Sequence, residues 1–349
     1  MSTSLMLTDV PLTEWSHPTR WEDLGIDRTI IFHLPLTTTF RGVNSREGLL
    51  VHGPRGWGEC APFLDYQPDE AAQWLRSALA QATRPGPAPV RTEVPVNVTI
   101  PVSSPAAAAA RAAEAGCRTA KIKVADPRVD LDADAARVAA VAEVLADQFG
   151  ADARVRIDVN GSWSRDEACA AIELLQRAAG PVGGLEYVEQ PCWEVEDLAA
   201  VRERVEPPIA ADESIRRADD PFRVVGAVDL AVIKVAPLGG VRAALDLAGQ
   251  LPLPVVVSSA IDTSYGLAAG VQLAAALPDL PYACGLDTAR LLATDVVAEP
   301  LRSAGGNLDV ARAARVLTAE PVAGAADRSV VERWLARTEA MLTEVNARD

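Results

Sequence analysis

Lysine is almost missing from this chain of 349 residues: of 33 basic side chains only three are lysine, at positions 121, 123 and 234. Histidine is as scarce. His17, His33 and His52 all precede residue 53, so any acid–base chemistry beyond that point must run without imidazole. The five cysteines (Cys60, Cys117, Cys169, Cys192 and Cys284) are scattered without a CxxC pair. They argue against zinc or disulfide scaffolds and fit buried thiols in a reducing cytosol. No run of 18 apolar residues occurs, which argues against a membrane span. The opening MSTSLMLTDVPLTEW lacks the basic and apolar regions of a secretory signal, so a cytoplasmic location is expected. Positive charge is in deficit too: a net charge of −15 argues against nucleic acid or an anionic membrane as partner.

What is present is a globular composition, 49% hydrophobic and 23% charged, with alanine runs such as SPAAAAARAAEAG that favour helices. Residues 28–60 alternate in the manner of strands and are broken by turn signals at Asn44–Gly48 and Gly53–Gly56. A helix is expected after Pro68, with Ala72, Leu75 and Leu79 on one face. Proline-rich RPGPAPVRTEVP marks a boundary near residue 90. Beyond it, β-branched runs recur at Val94–Ile100, Thr119–Val124, Arg154–Asn160, Leu185–Gln190, Ile209–Ser214, Leu230–Val235, Pro254–Ala260 and Ala283–Thr288. Helical stretches separate the first seven. Eight strands at βα spacing predict a closed (β/α) barrel, with an open doubly wound sheet as the alternative. Past residue 300 the repeat stops, and RSVVERWLARTEAMLTEV reads as an amphipathic helix returning to the N-terminal segment. The expected division is therefore 1–92 and 301–349 in one small α+β domain, and 93–300 in the barrel.

A barrel places its active site at the C-terminal ends of its strands. Period-two alternation puts Lys121 and Lys123 on one face of the second strand, and Arg156, Asp158 and Asn160 on one face of the third. The fourth strand ends with Glu189, the fifth with Asp212, and the sixth carries Lys234. Converging carboxylates in a half-buried site need a cation, and three monodentate oxygens with room for water and substrate suit Mg²⁺. Beside such an ion the lysines should lose protons within reach of neutral pH, which arginine cannot do. Small residues at Ser258, Ser259 and Gly285 leave backbone N–H groups open to a substrate carboxylate. Plainer readings exist for each: Asp158 and Asp212 as helix N-caps, Lys121 in a structural ion pair, Arg156 as an ion-pair partner, and the serines as a tight turn.

The motifs KIK (121–123), DVNG (158–161), EQP (189–191), DES (212–214) and IKVAPLGG (233–240) resemble the enolase superfamily, within it the muconate-lactonizing subgroup, over nearly the whole chain. DVNG departs from the commoner DAN at an outward-facing position. Within the subgroup, SSAIDTSYG, GLDT and FRGVNSREG look most like the o-succinylbenzoate synthase family of menaquinone biosynthesis. The resemblance implies a (β/α)7β modified TIM barrel with an α+β cap formed by both chain ends. It implies one Mg²⁺ on Asp158, Glu189 and Asp212, with Lys123 as acid/base, Lys121 supporting it and Lys234 facing the substrate from the other side. The implied reaction is proton abstraction α to the carboxylate of a small molecule, through an enediolate, followed by loss of water. Arg156 matches a position near the succinyl group, Asn160, Ser258, Ser259 and Gly285 are candidate substrate contacts, and Arg41–Glu47 would close over the site. An N-acylamino acid racemase or dipeptide epimerase remains open, as do a Schiff-base aldolase using Lys234 and a barrel that only binds.

Overall fold

A computed structural model gives the fold, describing residues 5–16, 18–40, 42–322 and 328–347; His17 and Arg41 lie outside the described residues. Strands β1 (Met6–Val10), β2 (Arg28–Phe40), β3 (Val43–Gly53) and β4 (Gly56–Cys60) form an antiparallel sheet in chain order. The helix Pro68–Thr83 packs on it through Ala72, Leu75 and Leu79, all buried. That packing is so close that a Cβ at Gly58 would lie 2.0 Å from the Ala78 carbonyl oxygen, so residue 58 has no room for a side chain. The C-terminal helix Arg328–Ala347 lies against the same helix, burying Trp334 and Met341, and Arg76 donates to the Val345 carbonyl at 2.7 Å.

After β5 (Glu93–Pro95) come the barrel strands β6 (Asn97–Ile100), β7 (Thr119–Lys123), β8 (Arg154–Asp158), β9 (Leu185–Glu189), β10 (Ile209–Ala211), β11 (Leu230–Lys234) and β12 (Val255–Ser258). They lie side by side in chain order and all run parallel. Cys284 and Gly285 join the two outer strands: Asn97 N–H donates to the Cys284 carbonyl at 2.9 Å, and Gly285 N–H to the Val257 carbonyl at 2.8 Å. The sheet thus closes into a barrel rather than staying open. The eighth strand expected at Ala283–Thr288 is reduced to these bridges. Asp287 ends it by accepting from Arg290 at 2.5 Å and from the Ser303 N–H at 3.2 Å, and Thr288–Leu291 turns into a 3-10 helix. The first strand is also shorter than expected, because β5 pairs antiparallel with β13 (Asn307–Asp309) instead.

Local sequence sets the helices around the barrel. Ser104 accepts from the Ala107 N–H, Pro105 opens the helix Pro105–Ala115, and Gly116 ends it at φ +67°. Between β10 and β11 a full helix gives way to the single turn Glu213–Arg216 and the 3-10 turn Pro221–Val224. Inside the barrel, Tyr187, Ala210, Leu230, Val232 and Val256 pack with Tyr282 as a separate apolar plug. Above the plug, toward the C-terminal ends of the strands, the interior turns polar.

Candidate active site

The strand register decides which charges meet. Lys121 pairs with Arg156 and Lys123 with Asp158 across β7–β8, and Asp158 pairs with Glu189 across β8–β9. Lys121 Nζ donates to both Glu189 oxygens, at 2.8 and 2.7 Å, and stands 3.1 Å from Asp158 Oδ2. Lys123 Nζ donates to Asp158 Oδ2 at 2.5 Å and to Asn160 Oδ1 at 2.6 Å. From the far wall Lys234 Nζ donates to Asp212 Oδ2 at 2.5 Å. All these side chains are buried except Lys123 and Asn160, which are half-buried.

Asp158 is not a helix cap: the following helix is capped by Ser164 with Glu167. Asp212 occupies an N-cap position, yet its side chain makes no capping bond. Its oxygens take Lys234 and the Arg216 Nε, the latter at 3.1 Å. Both plainer readings therefore give way to an inward one.

Burial raises the Glu189 carboxyl, and the nearby Asp158 and Asp212 carboxylates push it the same way, to about 7. Asp158 and Asp212 are held below the ordinary range despite burial, by Lys123 and Lys121 for the first and by Arg216 and Lys234 for the second. Burial lowers Lys234, with Arg216 adding to the effect. Lys121 goes the other way. Burial would lower it, but Glu189 and Asp158 outweigh that and hold it above its usual value, so the expected lowering does not extend to Lys121 among these groups.

As the side chains stand, the ammonium groups occupy the carboxylate oxygens, and no three acidic, His or Cys side chains among the described residues are drawn together around one point. The donor chemistry nonetheless fits a divalent cation. Asp158, Glu189 and Asp212 are all-oxygen donors on successive strand ends, and a cation among them would relieve the burial and the mutual repulsion that hold Glu189 above the usual carboxylate range.

Two family models match the chain: "Enolase C-terminal domain-like" over residues 105–314 and "Enolase N-terminal domain-like" over 31–82. The chain belongs to the enolase superfamily. Among proteins similar to this superfamily member, an o-succinylbenzoate synthase from Thermobifida fusca is 56% identical over 283 residues, spanning 80% of this chain and 86% of that one. One from Mycolicibacterium smegmatis is 49% identical over 306 residues, spanning 85% and 92%. Among solved structures, the L-Ala-D/L-Glu epimerase from Bacillus subtilis is similar with a TM-score of 0.66 at 22% identity, over 93% of this chain and 99% of that one. At that identity the likeness speaks for the fold.

The enolase-type barrel brings together Lys121, Lys123, Asp158, Lys234, Ser258, Ser259 and Gly285 around one cavity, with Phe40 and Phe63 of the cap in its wall. Ser259 Oγ donates to the Gly285 carbonyl at 2.7 Å, and a Cβ at Gly285 would lie 2.5 Å from Ser258 Oγ. The N–H groups expected to be open are not so at two of these positions: Ser259 N–H donates to the Gly285 carbonyl at 3.1 Å and Gly285 N–H to the Val257 carbonyl at 2.8 Å, because the chain closes the barrel there. Asn160, at φ +52°, is a strut: its Oδ1 takes Lys123 and its Nδ2 donates to Glu213 at 3.0 Å.

Arg156 is not brought to the cavity. It lies among the plug residues, donating to Glu186 at 2.5 Å, the Ala283 carbonyl at 2.7 Å, Asn97 at 3.1 Å and the Tyr187 hydroxyl at 3.2 Å. Two residues per layer carry its side chain one layer below Asp158. Within Arg41–Glu47, Arg41 lies outside the described residues, Arg46 turns inward to the Ile261 carbonyl, and Glu47 takes Arg333 and Trp334 of the C-terminal helix.

Three further polar residues shape the site. Gln190 ties β9 to β10, accepting from the Asp212 N–H at 2.8 Å and donating to Ser214 Oγ at 2.7 Å. Glu213 and Arg216 form a buried pair at 2.5 Å beside Asp212, and Arg216 also donates to the Tyr66 hydroxyl of the cap. Gln190 and Glu213 stand inside the EQP and DES motifs; Arg216 carries no signal that separates it from the other arginines.

Proposed function

We propose that this chain is an o-succinylbenzoate synthase, a carbon–oxygen hydro-lyase. It would convert 2-succinyl-6-hydroxy-2,4-cyclohexadiene-1-carboxylate (SHCHC) to o-succinylbenzoate, a step of menaquinone biosynthesis. The observation that carries the reading is the placement of Lys123 and Lys234 on opposite walls of one cavity, with Asp158, Glu189 and Asp212 between them. The kinship to o-succinylbenzoate synthases narrows the substrate.

One Mg²⁺ held by Asp158, Glu189 and Asp212 would supply Lewis-acid neutralisation of the substrate carboxylate, as at enolase-superfamily sites in general. Lys123, oriented by Asn160, takes the α-proton and returns it to the departing hydroxyl on the same face, which makes the dehydration syn. Lys121 holds Glu189 and keeps a positive charge beside Lys123. Lys234, from the opposite wall, stabilises the negative charge that develops on the substrate.

The test is dehydration of SHCHC followed by ultraviolet absorbance, with and without Mg²⁺, on wild type and Lys123→Arg. Mg²⁺-dependent turnover lost in the arginine variant is the expected result, and full activity in that variant would overturn the role of Lys123. The paired lysines favour one second reading, racemisation of an N-acylamino acid. Inertness toward SHCHC with α-proton exchange of an N-succinylamino acid in ²H₂O would select it.

A further inference from the structure

Two ionisable side chains of the cap are buried at its seam with the barrel, and both end on the loop after β12 and the helix it opens. Arg46, on β3, is 3% exposed. Its Nε donates to the Ile261 carbonyl at 3.2 Å, its Nη2 donates to the Ala61 carbonyl, and its guanidinium lies 4.1 Å over the Phe63 ring. Glu59, on β4, is 4% exposed. Its Oε2 accepts from the Thr263 hydroxyl at 2.5 Å, the Thr263 N–H at 3.1 Å and the Gly266 N–H at 2.9 Å. A carboxylate distant in sequence thus serves the first turn of the helix Ser264–Ala276. A Cβ at Gly266 would lie 2.9 Å from Glu59 Oε2 and 2.7 Å from Asp262 Cβ, so glycine is what lets the carboxylate in.

The segment that leads into these anchors is a wall of the catalytic cavity. Ser258, Ser259, Ala260 and Ile261 line it, and so does the Phe63 ring under Arg46. Ile261 holds φ +61°, a conformation a β-branched residue keeps only when its surroundings over-determine it. The surroundings here are Arg46 on its carbonyl and Glu59 two residues further on. Within the segment, Asp262 Oδ2 accepts from the Ala260 N–H at 3.2 Å and holds the turn together.

We propose that Arg46 and Glu59 are specificity-determining positioning residues. Through them the cap fixes the Ser258–Ile261 wall and so selects which carboxylate substrate seats between Lys123 and Lys234. Neither touches the reacting atoms; both act through the position of the wall. Freed of Arg46, Ile261 can relax out of the left-handed region and carry Ser259 and Ala260 with it. The inference rests on the proposed dehydration for its choice of substrate.

The experiment measures kcat and KM for SHCHC and for an N-succinylamino acid on wild type, Arg46→Lys, Arg46→Met, Glu59→Gln and Glu59→Ala. Binding of o-succinylbenzoate is measured in parallel by calorimetry, so that loop geometry is read even where turnover fails. Arg46→Met and Glu59→Ala should raise KM for SHCHC about tenfold or more, with kcat changed less than about threefold, and shift the ratio of kcat/KM between the two substrates. Glu59→Gln, which keeps a neutral acceptor, should rescue most of the loss seen in Glu59→Ala. Arg46→Lys keeps the charge and covers the case in which Arg46→Met does not fold. Unchanged KM, product affinity and substrate ratio in folded variants, with only a lower melting temperature, would overturn the proposal. A wild type inert toward SHCHC would sink the dehydration reading alone, and the product-binding arm would then decide the positioning roles.

Discussion

Replacing Arg156 by methionine separates a structural arginine from a substrate-binding one. Its side chain is fully buried and serves Glu186, Asn97, Tyr187 and the Ala283 carbonyl, below the layer that holds Asp158. Methionine fills much of the volume but leaves the Glu186 carboxylate without its cation, along with three acceptors (Asn97, the Tyr187 hydroxyl and the Ala283 carbonyl) that lose their donor. Breaking a buried pair from one side costs about 3–5 kcal/mol. The unfolding entropy of a chain this long is on the order of 0.7 kcal/mol/K. The melting temperature should therefore fall by about 4–7 °C in a thermal-shift or calorimetric scan. At a temperature well below that transition, KM for SHCHC should stay within about twofold of wild type, because the side chain does not reach the cavity. An unchanged melting temperature together with a tenfold rise in KM would refute this placement and return Arg156 to the substrate.

Three other outcomes follow from the site and its seam. Asp158→Asn should weaken Mg²⁺ binding, measured by calorimetry without substrate, by more than the roughly 10- to 100-fold that loss of an outer partner costs; unaltered affinity would remove Asp158 from the ligand set. Gly285→Ala would place a Cβ 2.5 Å from Ser258 Oγ, so turnover should fall about 10- to 100-fold while the melting temperature hardly moves; wild-type kinetics would show that this wall does not position substrate. Burial, and then the Asp262 carboxylate, raise Glu59 from 4.5 to about 8, against the hydrogen bonds from Thr263 and the charge of Arg46. The folded state therefore holds that proton more tightly than the unfolded chain, and the stability it contributes is complete below about pH 4.5 and lost as pH rises through about 8. The melting temperature of wild type should drop between pH 6 and 9 more than that of Glu59→Gln, and parallel profiles would contradict the assignment.

What the sequence made legible was what period-two alternation and residue scarcity can carry. Lys121 and Lys123 on one face, Asp158 above Arg156, and Glu189, Asp212 and Lys234 at strand ends all follow from strands whose register the β-branched runs fix. Alternation says which face a side chain takes and its order along the strand, but not at which layer the cavity begins or what lies across from it. Arg156 shares the face of Asp158, yet one layer lower it meets Tyr187 and Glu186 instead of the cavity. The eighth strand was overdrawn for a related reason. A run of strand-forming composition cannot report that Asp287 finds Arg290 and Ser303 and so turns the chain away after two bridges.

The cap was least legible, because its contribution is made of long-range contacts that no local pattern encodes. Arg41–Glu47 reads as a cover closing over the site, but Arg46 within it is a buried bolt on Ile261, and Glu47 accepts from Arg333 and Trp334 of the C-terminal helix. The same holds for Arg216, one arginine among many in sequence, which joins Asp212 to Tyr66 and thereby ties a candidate metal ligand to the cap. In this barrel the lysines and carboxylates are set by strand register, while the cavity between them is walled by barrel residues such as Ser258, Ser259 and Gly285 together with Phe40 and Phe63 of the cap, and one wall is held from β3 and β4. On the proposed roles, the chemistry belongs to the barrel strands and the holding of one cavity wall to the cap. Substitutions in the cap should change which carboxylate is accepted while the lysines and carboxylates that act on it remain in place.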